Sequence, residues 1–323
     1  MKHKVYPFKF TPILKEKVWG GNKLKDLFSK EFDGAIGESW EISGVEDNVS
    51  EVMNGSVKGK SLNELIDLFK EDFLGKKVYH HFGNKFPLLF KFIDAKEDLS
   101  VQLHPDDTLA QSRHNSFGKT EMWYIMEADK EARLILGFNS NVNEEIYLKH
   151  LSENKITDIL HSEPVEKGDS FFIAPGTVHA IGAGVVLAEI QQTSDITYRI
   201  YDWDRPGIDG EFRELHTEEA LDVIDYGESK AKLEFSEKKN QPFQICKSPY
   251  FETNKIIATQ SLQIDITEID SFVVYMCVEG KATIKAGGFS EHIKTGETIL
   301  IPAQFNTVEL ITSSASFLEV YIP

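Results

Sequence analysis

The stretch GDSFFIAPGTVHAIGAGVVLAEI, residues 168–190, holds two apolar runs, 170–174 and 185–190, with glycines and one proline between them. Short apolar runs that are bounded by turn residues are typical of β-strands. Two further runs, FPLLFKFI at 86–93 and EMWYIME at 121–127, have the same character. The sequence therefore predicts a mostly β protein.

Few helices are expected. The clearest begins at Ser61, whose hydroxyl can cap the first turn, and Glu64 follows at the spacing of a capping box. Shorter helices are expected at 143–151 and 217–224. The apolar residues of the first helix recur at helical spacing: Leu62, Leu65, Ile66 and Phe69.

The charged segment SKAKLEFSEKKN, residues 229–240, lacks periodicity. We therefore expect a connection there between a catalytic domain with helical additions, 1–235, and a C-terminal β domain, 240–323. Beyond the connection, the strand-like runs LQIDITEI, SFVVYMCV, ATIKA, TILIPA and SFLEVYI follow one another closely.

An internal similarity suggests that the two domains are related. GDSFFIAPG (168–176) and GETILIPA (296–303) each have a turn glycine, an acidic residue, an apolar run and a proline. The first segment continues to His179, whereas the second continues without a histidine. We interpret the C-terminal domain as a related barrel that lacks metal ligands; chance similarity of two short segments is the alternative.

The charge balance excludes some partners. The chain has 323 residues and a formal net charge of −17, so it repels nucleic acid and anionic membrane surfaces. An anionic substrate would need a local cluster of Arg and Lys. The two cysteines, Cys246 and Cys277, are far apart, which argues against a disulfide scaffold. No apolar run is long enough to span a membrane, and we expect a cytoplasmic protein.

Four residues form a candidate metal site. In VQLHPDD, Gln102 and His104 are two residues apart, a spacing that points both side chains to one face of a strand. Glu121 begins EMWYIME, and His179 follows a Pro-Gly turn. Two imidazoles, a carboxylate and an amide oxygen suit zinc and leave room for water or substrate. The alternative for each histidine is an ordinary core or surface residue.

Several charged residues are candidates for binding and proton transfer. Glu189 lies inside an apolar strand, where burial would raise its pKa and suit it to proton transfer. Arg199 lies in the strand-like run YRIY, residues 198–201, and Arg205 and Arg213 lie in the polar loop that follows. Arginine is well matched to phosphate or to an enediolate. The alternative is that Glu189 and Arg199 form a buried ion pair.

Lys119 precedes Glu121 by two residues, so on a strand it would face the same cavity. Beside a dication, its ammonium would be placed to hold an anion. The alternative is an ordinary surface lysine at the start of a strand.

Six segments, in order along the chain, resemble the type I mannose-6-phosphate isomerase family in its short bacterial form. They are VWGGNKL (18–24), IGESWEIS (36–43), PLLFKFIDAKEDLSVQLHPDD (87–107), GKTEMWYI (118–125), FIAPGTVHAIGAG (172–184) and EIQQTSDITYRIYDWDR (189–205).

The resemblance implies a cupin fold, with a jelly-roll catalytic barrel and a smaller, degenerate C-terminal barrel. It implies one zinc ion per chain and active-site roles for Lys119, Glu189 and Arg199. The chain has no room for the inserted helical domain of longer members, and the region after Arg199 differs, so Arg205 and Arg213 are only candidates for phosphate contacts. The implied zinc ligands are Gln102, His104, Glu121 and His179.

The implied reaction interconverts mannose 6-phosphate and fructose 6-phosphate through an enediolate. Zinc, Lys119 and Arg199 would hold its charge, and either Glu189 or a water on the metal would carry the proton. Alternatives are another cupin enzyme, such as an isomerase of another sugar phosphate or an iron oxygenase, a non-catalytic sugar-binding or regulatory cupin, and a structural β protein. We expect a monomer or weak homo-oligomer whose partner is a small sugar phosphate.

Overall fold

The computed structural model describes residues 4–139 and 142–323. We use the name N-terminal module for the part that contains the following strands: β1 (Ile13–Gly21), β2 (Ile36–Ile42), β3 (Gly44–Val45), β4 (Asn48–Val49), β5 (Leu88–Ala95), β6 (Val101–Leu103), β7 (Glu121–Ala128), β8 (Arg133–Phe138), β9 (Leu160–Pro164), β10 (Ser170–Ile173), β11 (His179–Ile181), β12 (Val185–Gln192) and β13 (Tyr198–Tyr201).

The helices of this module lie mainly between and around the strands. In chain order they are α1 (Lys23–Phe28), α2 (Leu62–Phe69), α3 (Glu71–Leu74), α4 (Lys76–Phe82), α5 (Asp107–His114), α6 (Glu144–Ser152) and α7 (Thr217–Leu221), with short 3₁₀ helices at Gly55–Val57 and Ile156–Ile159. In the described ranges, none of the helices is both long and apolar enough to cross a membrane.

Two large antiparallel sheets form the N-terminal module, and β3 and β4 form a separate two-stranded sheet. One has six strands in the order β1-β2-β5-β12-β7-β10, and the other has five in the order β13-β6-β11-β8-β9. An apolar cluster with members from both sheets fills the space between them, so the sheets pack face to face. Its members include Trp19, Ile93, Trp123, Ile125, Leu136, Phe171, Ile181 and Leu187.

Strand β12 illustrates how the sequence fixes which side chains point inward. Val185 and Leu187 pack in the cluster between the sheets, whereas Val186, Ala188 and Ile190 pack on the outer face. Because side chains alternate along a strand, Glu189 points into the space between the sheets.

The outer face of the six-stranded sheet packs against helices and against the C-terminal module. Helix α2 has the full capping box predicted from Ser61 and Glu64. Its buried residues Leu62 and Leu65 share a core with Phe90 and with Val274 of the C-terminal module. The two modules are therefore joined by one continuous apolar core.

The C-terminal module is an eight-stranded antiparallel arrangement in which the order is β14-β15-β21-β17-β20-β16, and the two remaining strands, β18 and β19, pair with β17. Its interior is an apolar cluster of its own. The strands are β14 (Pro242–Lys247), β15 (Glu252–Ala258), β16 (Leu262–Asp265), β17 (Val273–Ala286), β18 (Phe289–Lys294), β19 (Thr298–Ile301), β20 (Thr307–Ile311) and β21 (Ala315–Tyr321).

The mostly β prediction is confirmed, and three details differ from the sequence-based expectation. SFVVYMCV and ATIKA belong to the single long strand β17. The third expected helix ends at Leu221. Segment 229–240 is a connection without helix or strand, but it is not free, because Ala231 and Leu233 exchange backbone hydrogen bonds with the edge strand β10. Covering an edge strand in this way protects it from pairing with other chains.

Candidate metal centre and active-site pocket

One row of side chains crosses the inner face of the five-stranded sheet. His179 on β11 lies directly opposite Gln102 on β6, and Gln102 lies opposite Arg199 on β13. Residues that are directly opposite in adjacent strands point to the same face. Val101 and Leu103, the neighbours of Gln102, pack on the outer side of the sheet, so this row points inward.

A second polar row crosses the facing sheet. Glu189 on β12 lies between Lys91 on β5 and Trp123 on β7. The Trp123 and His179 rings meet edge to face, with centroids 5.3 Å apart. The two rows therefore meet in the space between the sheets.

The remaining candidate ligands are His104 and Glu121, and a turn at Gly176 helps to position His104. His104 lies one residue beyond the end of β6, and its carbonyl accepts a 2.9 Å hydrogen bond from the Gly176 N–H. Gly176 has a φ of +83°, and a Cβ there would lie 2.4 Å from the Val223 carbonyl oxygen. Only glycine fits this turn, which leads the chain into His179.

The three strongest candidate ligands form one buried cluster. Nε2 of His104 lies 3.4 Å from Glu121 Oε1, and Nε2 of His179 lies 3.8 Å from Glu121 Oε2. One potential ligand atom from each residue lies within 4.8 Å of the other two. The Gln102 amide nitrogen is 3.5 Å from His179 Nε2. A half-turn of that amide exchanges its nitrogen and oxygen, so Gln102 can present an oxygen to the cluster.

Backbone carbonyls orient both imidazoles. Nδ1 of His104 is 2.8 Å from the Ile196 oxygen, and Nδ1 of His179 is 2.9 Å from the Thr177 oxygen. Each Nδ1 therefore carries the proton and donates it, which leaves the Nε2 lone pair directed at the cluster. This is the tautomer that binds a metal ion through Nε2.

The electrostatics of the cluster match those of a metal-binding set. Burial, reinforced by Lys119, lowers the pKa of His104 to about 3, and burial also lowers the pKa of His179. Burial would raise the pKa of Glu121, but Lys119 and His104 outweigh it and hold that pKa well below its usual value. The set is thus two neutral imidazoles and one carboxylate.

A divalent cation fits these residues. Oε2 of Glu121 is fully buried and has no hydrogen-bond partner among the described residues. The Lys119 ammonium bonds to Glu121 Oε1 and lies 3.0 Å from His104 Nε2. An unpaired buried carboxylate oxygen is costly, and coordination of a cation removes that cost.

The facing row holds a second charged network. The Lys91 ammonium lies 2.7 Å from Glu189 Oε2, and the Trp123 indole N–H donates to Glu189 Oε1 at 2.9 Å. Burial, together with the nearby Glu121 carboxylate, raises the pKa of Glu189. Burial opposes the charge on Lys91, but Glu189 and Glu38 outweigh it and raise the pKa of Lys91.

Residues of both networks line a pocket of about 140 Å³, although His104 and Glu121 themselves lie behind its lining. A wider groove of about 960 Å³ lies on the C-terminal module beside Lys281 and Thr283, away from the candidate ligands. The chemistry of the lining, not the size of the cavity, therefore identifies the candidate site. The charged and metal-ligating residues predicted from the sequence that line the smaller pocket are Gln102, Lys119, His179, Glu189, Arg199 and Arg213.

The three candidate arginines differ in position. Arg199 donates to the Glu214 carbonyl at 2.8 Å, and its buried Nε has no hydrogen-bond partner in the described ranges. Arg213 makes two bonds to Asp202, of 2.6 and 2.5 Å. Arg205 is held outside the pocket by the carboxylate of Glu97, 3.2 Å away. The alternative that Glu189 and Arg199 form a buried ion pair is wrong, because Lys91 is the partner of Glu189.

Sequence reasoning did not single out Lys91, Glu38 or Trp123. Lys91 and Glu38 are buried, with exposed fractions of 6% and 9%, and both line the pocket. Lys17 and Lys91 hold the pKa of Glu38 at about 2 despite its burial. The available signal was a charged residue inside an apolar run, in FPLLFKFI and IGESWEIS, the same signal that identified Glu189.

A sandwich of antiparallel strands that encloses a buried His–Glu–His cluster is the architecture of a cupin metal-centre protein. Family models agree with this class. Residues 7–134 match the model for the catalytic domain of type I phosphomannose isomerase, and residues 239–322 match the model for the mannose-6-phosphate isomerase cupin domain.

Relatives extend the match over almost the whole chain. The mannose-6-phosphate isomerase ManA of Bacillus subtilis is 33% identical over 92% of this chain and 93% of its own length. A mannose-6-phosphate isomerase of Streptococcus mutans is 34% identical, over 91% and 90%. The crystal structure of the Bacillus subtilis mannose 6-phosphate isomerase superimposes with a TM-score of 0.89 at 30% identity, covering 98% of this chain and all of that one.

The chain therefore belongs to the type I phosphomannose isomerase family. The cupin fold and the enzyme class predicted from the sequence, an aldose–ketose isomerase, are confirmed.

Proposed function

We propose that this chain interconverts mannose 6-phosphate and fructose 6-phosphate with one zinc ion held by Gln102, His104, Glu121 and His179. The observation that carries the proposal is the buried convergence of His104, Glu121 and His179 beside the Lys119 ammonium. Family membership supports the substrate pair. The ligand set favours zinc, because imidazole and carboxylate donors in a site with an open position are typical of catalytic zinc.

When bound, the ion supplies a Lewis acid that polarises a substrate oxygen. The chain's own residues then have separate tasks. Isomerisation moves one proton between two adjacent carbons and a second between their oxygens, and the enediolate formed after the carbon loses its proton is anionic. The ammonium of Lys119 is rigidly placed next to the cluster and stabilises charge that develops there.

Glu189 carries the proton between the two carbons. Its raised pKa brings it closer to neutral pH, where a carboxyl group both accepts and returns a proton efficiently. The Trp123 indole fixes one oxygen of Glu189, and Lys91 accompanies the other. Both contacts orient the carboxyl group toward the pocket.

Arg199 and Arg213 bind the phosphate at the other end of the pocket. The guanidinium of Arg199 has an unused buried donor, Nε, and Arg213 lines the pocket, where its two bonds to Asp202 fix its orientation. Arg205, which is held by Glu97, is the weaker candidate of the three.

We also propose that the chain divides into a catalytic domain, 1–235, and a metal-free C-terminal domain, 240–323. Two observations support this division. The strands of the C-terminal sheet all begin at Pro242 or later, and the second family model starts at residue 239.

The test is a coupled assay of mannose 6-phosphate isomerisation with metal analysis. Chelation should abolish turnover, and stoichiometric zinc should restore it more fully than magnesium or calcium. His104→Ala should lose both metal and turnover. Full zinc content in His104→Ala, or unchanged activity after complete metal removal, would contradict the proposal.

A further inference from the structure

The segment that carries Lys119 has no helix or strand of its own. Residues 117–120 are irregular, and β7 begins only at Glu121. The ammonium of Lys119 nevertheless reaches both His104 and Glu121. Something outside the segment must therefore hold its backbone in place.

Three consecutive backbone N–H groups of this segment are held by acceptors from elsewhere. Gly118 donates to Asp107 Oδ1 at 2.8 Å, and Lys119 donates to the Pro105 carbonyl at 3.2 Å. Thr120 donates to the side-chain oxygen of Gln192 at 3.0 Å. A Cβ on Gly118 would lie 2.6 Å from the Asp107 nitrogen, so the segment approaches α5 as closely as glycine allows.

Gln192 connects two of these three anchors. Its side-chain nitrogen donates to Asp107 Oδ1 at 3.0 Å, the same oxygen that accepts from Gly118. Its backbone N–H donates to the Thr120 carbonyl at 3.2 Å. The amide thus has one orientation, with oxygen toward Thr120 and nitrogen toward Asp107, and it is 5% exposed.

We infer that Gln192 is a positioning residue, which fixes the Lys119 ammonium against the metal cluster by clamping the backbone on both sides of Lys119. The inference rests on the proposed function, because it takes Lys119 as a group that stabilises charge in the transition state. Gln192 itself is neither a candidate ligand nor part of the pocket lining. It is the last residue of β12, three residues beyond Glu189.

Replacing the amide by an apolar side chain of similar length tests the clamp. Gln192→Met should lower kcat by about 10- to 100-fold and leave KM within about threefold, because displacement of a group that acts on developing charge affects the transition state more than the bound substrate. Metal content should stay at one ion per chain. Unchanged kcat in folded, metal-loaded Gln192→Met would overturn the inference.

A control uses the same substitution at an exposed glutamine outside the N-terminal module. Gln244 donates from its side chain to Glu252 Oε1 at 3.0 Å in the C-terminal module. Gln244→Met should leave kcat within twofold. If Gln192→Met does not fold, Asp107→Ala provides a second test, because Asp107 is partly exposed and accepts hydrogen bonds from both Gly118 and Gln192. In this variant kcat should again fall, while KM and metal content stay unchanged.

A double-mutant cycle separates this inference from the proposed function. In a Lys119→Met background, Gln192→Met should add less than about twofold. An equal loss in both backgrounds would show that Gln192 acts independently of Lys119 and would overturn the inference. Near-normal turnover of Lys119→Met alone would instead remove Lys119 from the proposed function.

Discussion

The two modules use similar strand sequences but begin the following strand with different residues. Strands β10 and β19 each follow a turn of glycine and an acidic residue, and each is followed six residues later by the next strand. His179 occupies the first position of β11, whereas Thr307 occupies the first position of β20. The same local framework therefore serves a potential metal cluster in one module and, as far as the described residues show, none in the other.

Two buried carboxyl groups, one in each module, also differ in how they are satisfied. In the C-terminal module, Glu319 accepts from the Tyr275 hydroxyl at 2.8 Å and from the Asn254 amide at 2.9 Å. In the N-terminal module, Glu121 leaves a buried oxygen without a partner in the described ranges. A carboxyl group whose oxygens are all hydrogen-bonded stabilises its barrel, whereas a buried oxygen without a partner is free to bind a ligand.

The largest expected effect comes from the two residues that begin β11 and β20, which correspond in sequence. His179→Ala should lose the metal and reduce kcat by more than about 100-fold, since even changes around metal ligands cost 10- to 100-fold. Thr307→Ala should leave both quantities within about twofold. Metal analysis and steady-state kinetics measure the contrast; equal effects at the two positions would break it.

Next in size is the contrast between the two buried carboxyl groups. Glu189→Gln should lower kcat by about 10²- to 10⁴-fold with the metal retained, which is the usual contribution of a general base. Glu319→Gln keeps an acceptor for Tyr275 and should affect stability alone. Near wild-type turnover in zinc-loaded Glu189→Gln would exclude Glu189 as the proton carrier.

Low pH should lower the folding stability of the metal-free protein, because His104 is protonated more readily in the unfolded state. Its folded pKa of about 3 lies below the ordinary value of 6.5, so between these values the unfolded state binds more protons. The free energy of unfolding should therefore fall as pH drops below about 6.5, by roughly 1 kcal/mol per pH unit. Denaturant unfolding at several pH values measures this slope, and His104→Gln should flatten it.

Glu319 supplies the opposite sign in the same titration. Burial raises its pKa, so its contribution to stability is present at low pH and is lost as pH rises through the folded value. Glu319→Gln should therefore steepen the acid-induced loss that His104→Gln flattens. If the two variants changed the slope in the same direction, the electrostatic contrast between the modules would be wrong.

The smallest effect concerns the core that joins the modules. Ser61→Ala removes the cap of α2, whose apolar face packs against both, and should lower the free energy of unfolding by about 1 kcal/mol without changing kcat. Ser112, which is exposed and bonds only within α5, provides the control. A thermal midpoint for Ser61→Ala equal to that of Ser112→Ala would contradict this account.

Local signals carried much of the fold prediction. The capping box at Ser61 and the apolar run of β12 are short-range patterns, and both elements form where expected. Helices α1, α3, α4 and α5 were not predicted. Among these, α4 and α5 contain mixed polar residues without a clear apolar face, so tertiary contacts rather than periodicity determine them.

The site could be predicted only in part, because its geometry depends on long-range pairing. His104 lies beyond the end of β6, so strand alternation alone does not place it; the Ile196 carbonyl and the Gly176 turn do. Lys91 was read as part of an apolar strand, and only the pairing of β5 with β12 brings it to Glu189. The residue roles in this pocket remain predictions that the variants above would test.

The register of β6, β11 and β13 has a consequence for how such a chain can change length during evolution. Hydrogen-bonded pairing fixes Gln102 against His179 and Arg199, so the connecting loops can grow at small entropic cost without moving that row. One residue inserted inside β6 would instead turn Gln102 to the outer face. Homologous chains should accept insertions and deletions between these strands, outside the Lys119 segment and the Gly176 turn, and reject them within the strands.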